Sequence, residues 1–261
     1  MERIRPPAVA GMFYPRDTGA LRMLVDTLLA GAATPALMPK AIIAPHAGYV
    51  YSGPVAASAY ALLTPLRDLI RKVVLLGPCH RAPLHGLAAP GVDFFSTPLG
   101  TIPIDQAAIT MLLRLPCVQH LDAPHASEHS LEVQLPFLQR VLGDFTLIPL
   151  VVGNTTATDV AQVLELLWGG PETLIIISSD LSHYLDYQAA QHLDRTTSQA
   201  IEALDDTAIG HDQACGRVPV CGLLQVAQRH GLHGQLLDLR NSGDTAGPRD
   251  RVVGYGAYAF S

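Results

Sequence analysis

Three short stretches, Ala41-Ile42-Ile43-Ala44, Val73-Val74-Leu75-Leu76 and Leu174-Ile175-Ile176-Ile177, are apolar at every position rather than at every second one. A strand with one wet face alternates, so a strand that is apolar throughout has to be covered on both faces, as in a parallel sheet between helices. Segments with helical spacing separate these runs: Leu21, Leu24, Val25, Leu28 and Leu29 recur on one stripe, as do Val160, Val163, Leu164 and Leu167. Residues 188–204 and 219–230 read as two further helices, and the segment from Arg251 to Phe260 alternates like a late strand. Strands alternating with helices predict an α/β fold with a mostly parallel central sheet and helices on both faces.

Prolines refine that reading. The apolar run from Phe145 to Val152 belongs to the sheet, but Pro149 has no N–H to give to a ladder, which places the strand at an edge or a bulge. Pro54 is expected in the first turn of a helix running on through Val55-Ala56-Ala57-Ser58-Ala59-Tyr60. Ser130 is placed to cap a helix over Leu131-Glu132-Val133-Gln134-Leu135, which Pro136 would kink or end early.

Of 261 residues, 49% are hydrophobic and 15% charged, enough apolar mass for a large core. No internal repeat, low-complexity tract or long linker divides the chain, so a single domain over 1–261 is expected, with 31–39 and 241–250 as surface loops. Seventeen Lys and Arg against 23 Asp and Glu leave a formal charge of −6, and the basic residues are scattered. That pattern argues against nucleic acid or an anionic membrane surface as the main partner. No apolar run approaches the roughly 20 residues of a membrane helix, and the N-terminal residues carry no apolar signal segment, so a cytoplasmic location is expected. Cys79, Cys117, Cys215 and Cys221 are irregularly spaced, which favours free thiols over a disulfide framework.

The residues just past each apolar run carry the chemistry. The first run leads into Pro45-His46-Ala47-Gly48-Tyr49, the second into Gly77-Pro78-Cys79-His80, and the third into Ser178-Ser179-Asp180-Leu181-Ser182-His183. Ligands of open α/β sheets bind outside the carboxyl ends of the strands, so these residues converge on one crevice. His46 and His80 make a natural pair of metal ligands, the alternative for each being a loop histidine bonded to nearby backbone. His183 beside Asp180 suits a proton carrier, with a capping or orienting role as the alternative. Glu128-His129 precedes the helix expected at Ser130 and either lines the same pocket or serves as a cap. Cys215, in a polar turn before a helix, is a candidate thiolate, the alternative being a small buried hydrophobe. Cys221 and Cys79 read as core or supporting residues, and His85, His120, His125, His192, His211, His230 and His233 as solvated or satisfied side chains. A serine hydrolase is disfavoured, because no Gly-x-Ser-x-Gly elbow is present.

The stretches Ala44-Pro45-His46-Ala47-Gly48-Tyr49, Gly77-Pro78-Cys79-His80, Glu128-His129-Ser130-Leu131-Glu132, Ile148-Pro149-Leu150-Val151-Val152-Gly153, Ser178-Ser179-Asp180 and Cys215-Gly216-Arg217 resemble, in this order and over nearly the whole chain, the Memo family. Its prokaryotic members carry the name AmmeMemoRadiSam system protein B. That family is similar in fold to class III extradiol dioxygenases of the LigB type, which hold non-haem Fe(II) with two His and one carboxylate. The resemblance implies that His46 and His80 are metal ligands, with Cys215 where the dioxygenases have a glutamate, and His183 in the place of their acid/base histidine. Asp180, Glu128 and His129 would line the pocket as further catalytic groups. A thiolate in place of a hard carboxylate favours softer metals, so Cu or Zn stands beside Fe(II), and ring cleavage does not simply carry over. The implied function is a metal-dependent redox enzyme with a small-molecule substrate. The alternative is a non-enzymatic module working with AMMECR1-like and radical-SAM proteins, or with phosphotyrosine peptides as in the animal members, with Arg217 or Arg81 as anion contacts.

Overall fold

Each of the fully apolar runs is a strand, and the three lie side by side. In the computed structural model, which describes residues 2–261, Ala41–Ala44 pairs in parallel with Thr173–Ser178, which pairs with Lys72–Pro78, which pairs with Thr146–Val152. Antiparallel strands extend this parallel core at both ends, Val252–Phe260 beside Ala41–Ala44 and Leu87–Ala89 beside Thr146–Val152. With Val118–His120, Gly234–Asn241 and His183–Leu185 the sheet reaches nine strands, and helices pack around it. The sequence-based α/β reading with a mostly parallel sheet therefore holds. A separate three-stranded sheet joins Ile4–Arg5, Phe94–Thr97 and Gly100–Pro103.

The parallel strands are apolar throughout because nothing on either face is wet. Ile42, Ile43, Val73, Val74, Ile175, Ile176 and Ile177 have no exposed surface and belong to one contiguous apolar cluster. Each such side chain contributes about 1.5–3 kcal/mol relative to exposure. Helix ends are specified locally: Asp17 accepts from the Ala20 N–H ahead of Thr18–Ala30, Thr156 and Asp159 form a capping box on Ala157–Leu166, and Asp186 accepts from Gln188 and Ala189 ahead of Tyr187–Glu202. Among the described residues no helix is long and apolar enough to cross a membrane.

Three local expectations are corrected. The Thr146–Val152 strand is internal rather than an edge. The Val152 carbonyl faces Lys72–Pro78 and the Leu147 carbonyl faces the other side, where it accepts from Asp105. Alternation puts Pro149 on that second side, in a gap between Leu147 and the residues that meet Leu87–Ala89 at Val151 and Val152, so its missing N–H breaks no ladder bond. Pro54 lies inside a helix that already begins at Tyr49, and the carbonyl that loses its i+4 donor to the proline belongs to Val50, which is 65% exposed. Ser130 caps nothing: its hydroxyl donates to the Pro78 carbonyl at 2.9 Å, a short turn of 3₁₀ helix comes next, and Pro136 opens the Leu135–Val141 helix instead of breaking one.

Candidate metal centre

The carboxyl ends of the parallel strands deliver the sequence-predicted residues to one place. His46 follows Ala41–Ala44, His80 follows Lys72–Pro78, and Asp180 follows Thr173–Ser178. Cys215 comes from the turn before the Arg217–Arg229 helix, whose Gly216 sits so close to the neighbouring strand end that a Cβ there would lie 2.7 Å from the Ser179 Cβ and 2.9 Å from the Ser178 carbonyl. Ligating atoms of His46, His80 and Cys215 lie within 4.8 Å of one another, as do those of His80, Glu128 and His129.

Hydrogen bonds fix which nitrogen each imidazole presents. The Ser178 hydroxyl has one proton, and it goes to the Ser130 carbonyl at 2.6 Å. Its oxygen therefore accepts from Gln134 Nε2 at 2.8 Å and from His46 Nδ1 at 2.9 Å. Gln134 is itself held the right way round, its amide nitrogen donating to the Pro45 carbonyl at 3.0 Å and its oxygen accepting from the Tyr60 hydroxyl at 2.8 Å. His46 Nδ1 thus carries the hydrogen, and its bare Nε2 lies 3.3 Å from Cys215 Sγ. His80 reaches the same state by another route, its Nδ1 donating to Glu128 Oε1 at 2.9 Å. An imidazole whose outer nitrogen is tied to an acceptor is oriented and made more basic for a metal.

Glu128 is buried behind the histidines rather than lining the cavity. Burial pushes its pKa up, but the side-chain hydrogen bond from His80 and backbone donors from His80 and Ser130 outweigh it and hold the carboxyl down at about 2. It serves His80 and not the open space. His129 stacks on His80 with ring centroids 4.7 Å apart and lies edge-on to His46 at 5.5 Å. Its Nδ1 is 3.2 Å from Glu128 Oε1 but off the angle a hydrogen bond needs, and it has no other partner. Burial brings His129 down to about 4 and holds His46 well below its ordinary value, so both are neutral at pH 7.

Cys215 departs from expectation. The turn does not stabilise a thiolate: burial, reinforced by the nearby Asp180 carboxyl, raises the thiol to about 12. The S–H faces the bare His46 Nε2, and the Asp180 N–H donates to the sulfur at 3.3 Å. A cation placed between these groups would favour the thiolate. Asp180 is pushed up to about 7 by burial, partly offset by the His46 N–H it accepts at 2.7 Å. His183 donates from Nδ1 to the Leu181 carbonyl at 2.8 Å, which leaves Nε2 as an acceptor, and burial lowers its pKa.

A cavity of about 570 Å³ opens above these groups, with His46, His80, His129, Asp180 and His183 in its lining. Several participants carried no sequence signal. Phe13, Tyr51 and Tyr255 form apolar walls, and the 241–250 segment, read as an ordinary surface loop, contributes Ser242, Gly247 and Pro248. Arg81 lines the cavity, whereas Arg217 does not: its Nε donates to the Ile209 carbonyl at 2.7 Å. Arg5, 5% exposed, pairs with the fully buried Glu132 and donates to the carbonyls of His125 and Glu128, tying the N-terminal segment to the stretch that carries Glu128 and His129. Tyr14 and the N–H groups of Ala8 and Val9 complete the donors to Glu132. His125, expected to be solvated or satisfied, is buried with an unpartnered Nδ1, and His230 pairs with Glu165 at 2.9 Å while stacking on Trp168. All four cysteines are free.

Fold and site together define an α/β protein with a candidate His/Cys metal centre at the carboxyl ends of its parallel strands. Residues 5–259 match the family model described as Memo-like protein. The chain is 37% identical over 264 residues to a MEMO1 family protein of Aquifex aeolicus, covering 97% of each. It is 35% identical over 279 residues to a relative so described in Methanopyrus kandleri, covering 98% of each. A MEMO1 family protein of Methanothermobacter thermautotrophicus is 34% identical over 273 residues, covering 97% of this chain and 98% of that one. The chain belongs to the Memo family.

Proposed function

We propose that this protein is a metal-dependent oxidoreductase of the non-haem-iron type that acts on a small molecule, with His46, His80 and Cys215 as metal ligands. The observation that carries the reading is the convergence of the three ligand atoms within 4.8 Å, with both imidazoles already held in the tautomer that offers Nε2. Two nitrogens and one sulfur suit Fe(II), Cu or Zn and leave coordination positions towards the cavity. When bound, the metal would supply Lewis acidity and redox chemistry at the cavity floor.

The chain's own residues do the rest. Phe13, Tyr51 and Tyr255 exclude water and accept an apolar substrate body. His183 is neutral at pH 7 with its free Nε2 available, so it accepts a proton from a substrate hydroxyl and returns it later as the acid. Asp180, buried and poised near neutrality, holds the His46 backbone and sits beside the Cys215 sulfur. Glu128 orients His80, and His129 packs against both ligand imidazoles.

A second reading draws on the cavity lining, where Tyr184 is 63% exposed and Arg81 is also present. There the crevice is a recognition surface for AMMECR1-like and radical-SAM proteins and the site does not turn over. Metal analysis of anaerobically purified protein, with absorption spectra of the Co(II)-loaded form, tests the first reading. One ion per chain and a thiolate-to-metal band, both lost in Cys215→Ala, are expected. His183→Gln should keep the ion and lose oxygen uptake with small organic substrates. Stoichiometric metal absent from wild type would sink the proposal, and bound metal without oxygen uptake would return the site to the second reading.

A further inference from the structure

The cavity floor is built from neutral and anionic groups, but its rim is cationic. Arg81 and Arg251 are the only lysine or arginine side chains in the lining, and Asp180 at the floor is the only carboxylate. Neither guanidinium has a salt-bridge or hydrogen-bond partner among the described residues, unlike Arg5, Arg140, Arg229 and Arg240, which are all paired with carboxylates. In a chain with a net charge of −6, two unpaired arginines facing one cavity are a local reversal of sign.

Arg251 is also held in place. The His183–Leu185 strand pairs with Val252 and Val253 with an irregularity between His183 and Leu185, which makes Tyr184 the extra residue of a bulge. Its φ is 62°, a left-handed conformation that a non-glycine residue adopts only under backbone strain. The bulge brings Tyr184 into the cavity lining, where the Arg251 guanidinium lies 4.9 Å from the centroid of its ring. A cation seated on an aromatic face keeps its N–H groups free for a ligand, and it has given up rotamer freedom before that ligand arrives. Arg81 follows the metal-ligand candidate His80 directly, so its backbone is anchored by the His80–Glu128 bonds.

We infer that Arg81 and Arg251 form an anion clamp at the mouth of the cavity, so that the substrate is a small organic anion, a carboxylate or a phosphate, whose other end reaches His46 and His80 at the floor. This names the substrate class of the site proposed above and rests on that reading for the identity of the floor. Tyr184 is a positioning residue that acts through Arg251.

Isothermal titration of the full-length, chelator-treated protein at low salt tests the clamp, with benzoate, phenyl phosphate and the neutral benzamide as probes. Metal content is measured on the same preparations before the chelator is added. Both anions should bind at least about tenfold tighter than benzamide, the gain expected of charge-assisted hydrogen bonds, and the tighter of the two identifies the charged group. Arg81→Gln and Arg251→Gln should each bring the anions towards the affinity of benzamide while leaving benzamide binding and the melting temperature unchanged. Tyr184→Leu should weaken the anions alone, by a smaller factor than Arg251→Gln. Equal affinity for benzoate and benzamide, or anion binding indifferent to either arginine substitution, would overturn the clamp. A protein that binds the anions but never holds metal would remove the oxidoreductase reading and leave the clamp standing.

Discussion

The Nε2 of His46 lies 3.3 Å from the Sγ of Cys215, although 169 residues separate the two along the chain. The imidazole nitrogen is bare, because Nδ1 donates to Ser178, and the thiol is protonated, because burial raises it to about 12. An ion that binds here must therefore displace the thiol proton.

That displacement sets the sign of the pH dependence. Metal binding couples to loss of one proton from Cys215, whose pKa is raised above the ordinary thiol value, so affinity should climb as pH rises, by up to about tenfold per unit. Titrating Zn²⁺ at pH 8 in buffers of different ionisation enthalpy should show close to one proton released per ion, and none from Cys215→Ser. Proton release that is unchanged in the variant would place the ligand proton elsewhere.

Gln134 controls His46 at one remove. Gln134→Leu takes away a donor to Ser178 and leaves the Tyr60 hydroxyl without its acceptor, at a cost of about 1–3 kcal/mol. Without the Gln134 donor the Ser178 hydroxyl is free to turn its proton from the Ser130 carbonyl to His46 Nδ1, and metal affinity should fall by about 10–100-fold. Nitrogen-15 chemical shifts of His46 in the metal-free protein should show the Nδ1–H form giving way to a mixture, and an unaltered tautomer would contradict this account of the Tyr60–Gln134–Ser178 relay.

Gly216 is required for closeness and not for an unusual backbone angle, since its φ is −91°. A methyl group there meets the side chain of Ser179 and the carbonyl of Ser178, so Gly216→Ala must push the Cys215 turn off the strand end. The expected result is a folded protein with a weakened or lost thiolate-to-Co(II) band. Full retention of the band would show that the turn has room the distances deny.

Arg5 and Glu132 are a stability device for the same site. Arg5→Met leaves a buried carboxylate that has lost its arginine partner, which should cost about 3–5 kcal/mol in urea unfolding. The carbonyls of His125 and Glu128 lose their donor at the same time, so amide exchange should quicken in the 125–130 segment before the rest of the chain. Uniform exchange across the molecule would separate the ion pair from the site.

Consecutive apolar residues at 41–44, 73–76 and 174–177 dictated buried strands by themselves, because burial on both faces leaves no other pattern, and the polar residues that end those runs dictated where chemistry would collect. Cys215 had no such local signal, and its partnership with His46 and His80 was reached through family resemblance before the structure placed it. Pairing order decided the rest. Whether Pro149 sat at an edge depended on which neighbours stopped short of it, and whether Cys215 was a thiolate depended on how deeply its turn was buried. The tautomer of His46 depended on Gln134 and Ser178 arriving from separate parts of the chain. Hydrogen-bond direction and desolvation are properties of a three-dimensional neighbourhood, and a one-dimensional pattern encodes only the faces that neighbourhood has to cover.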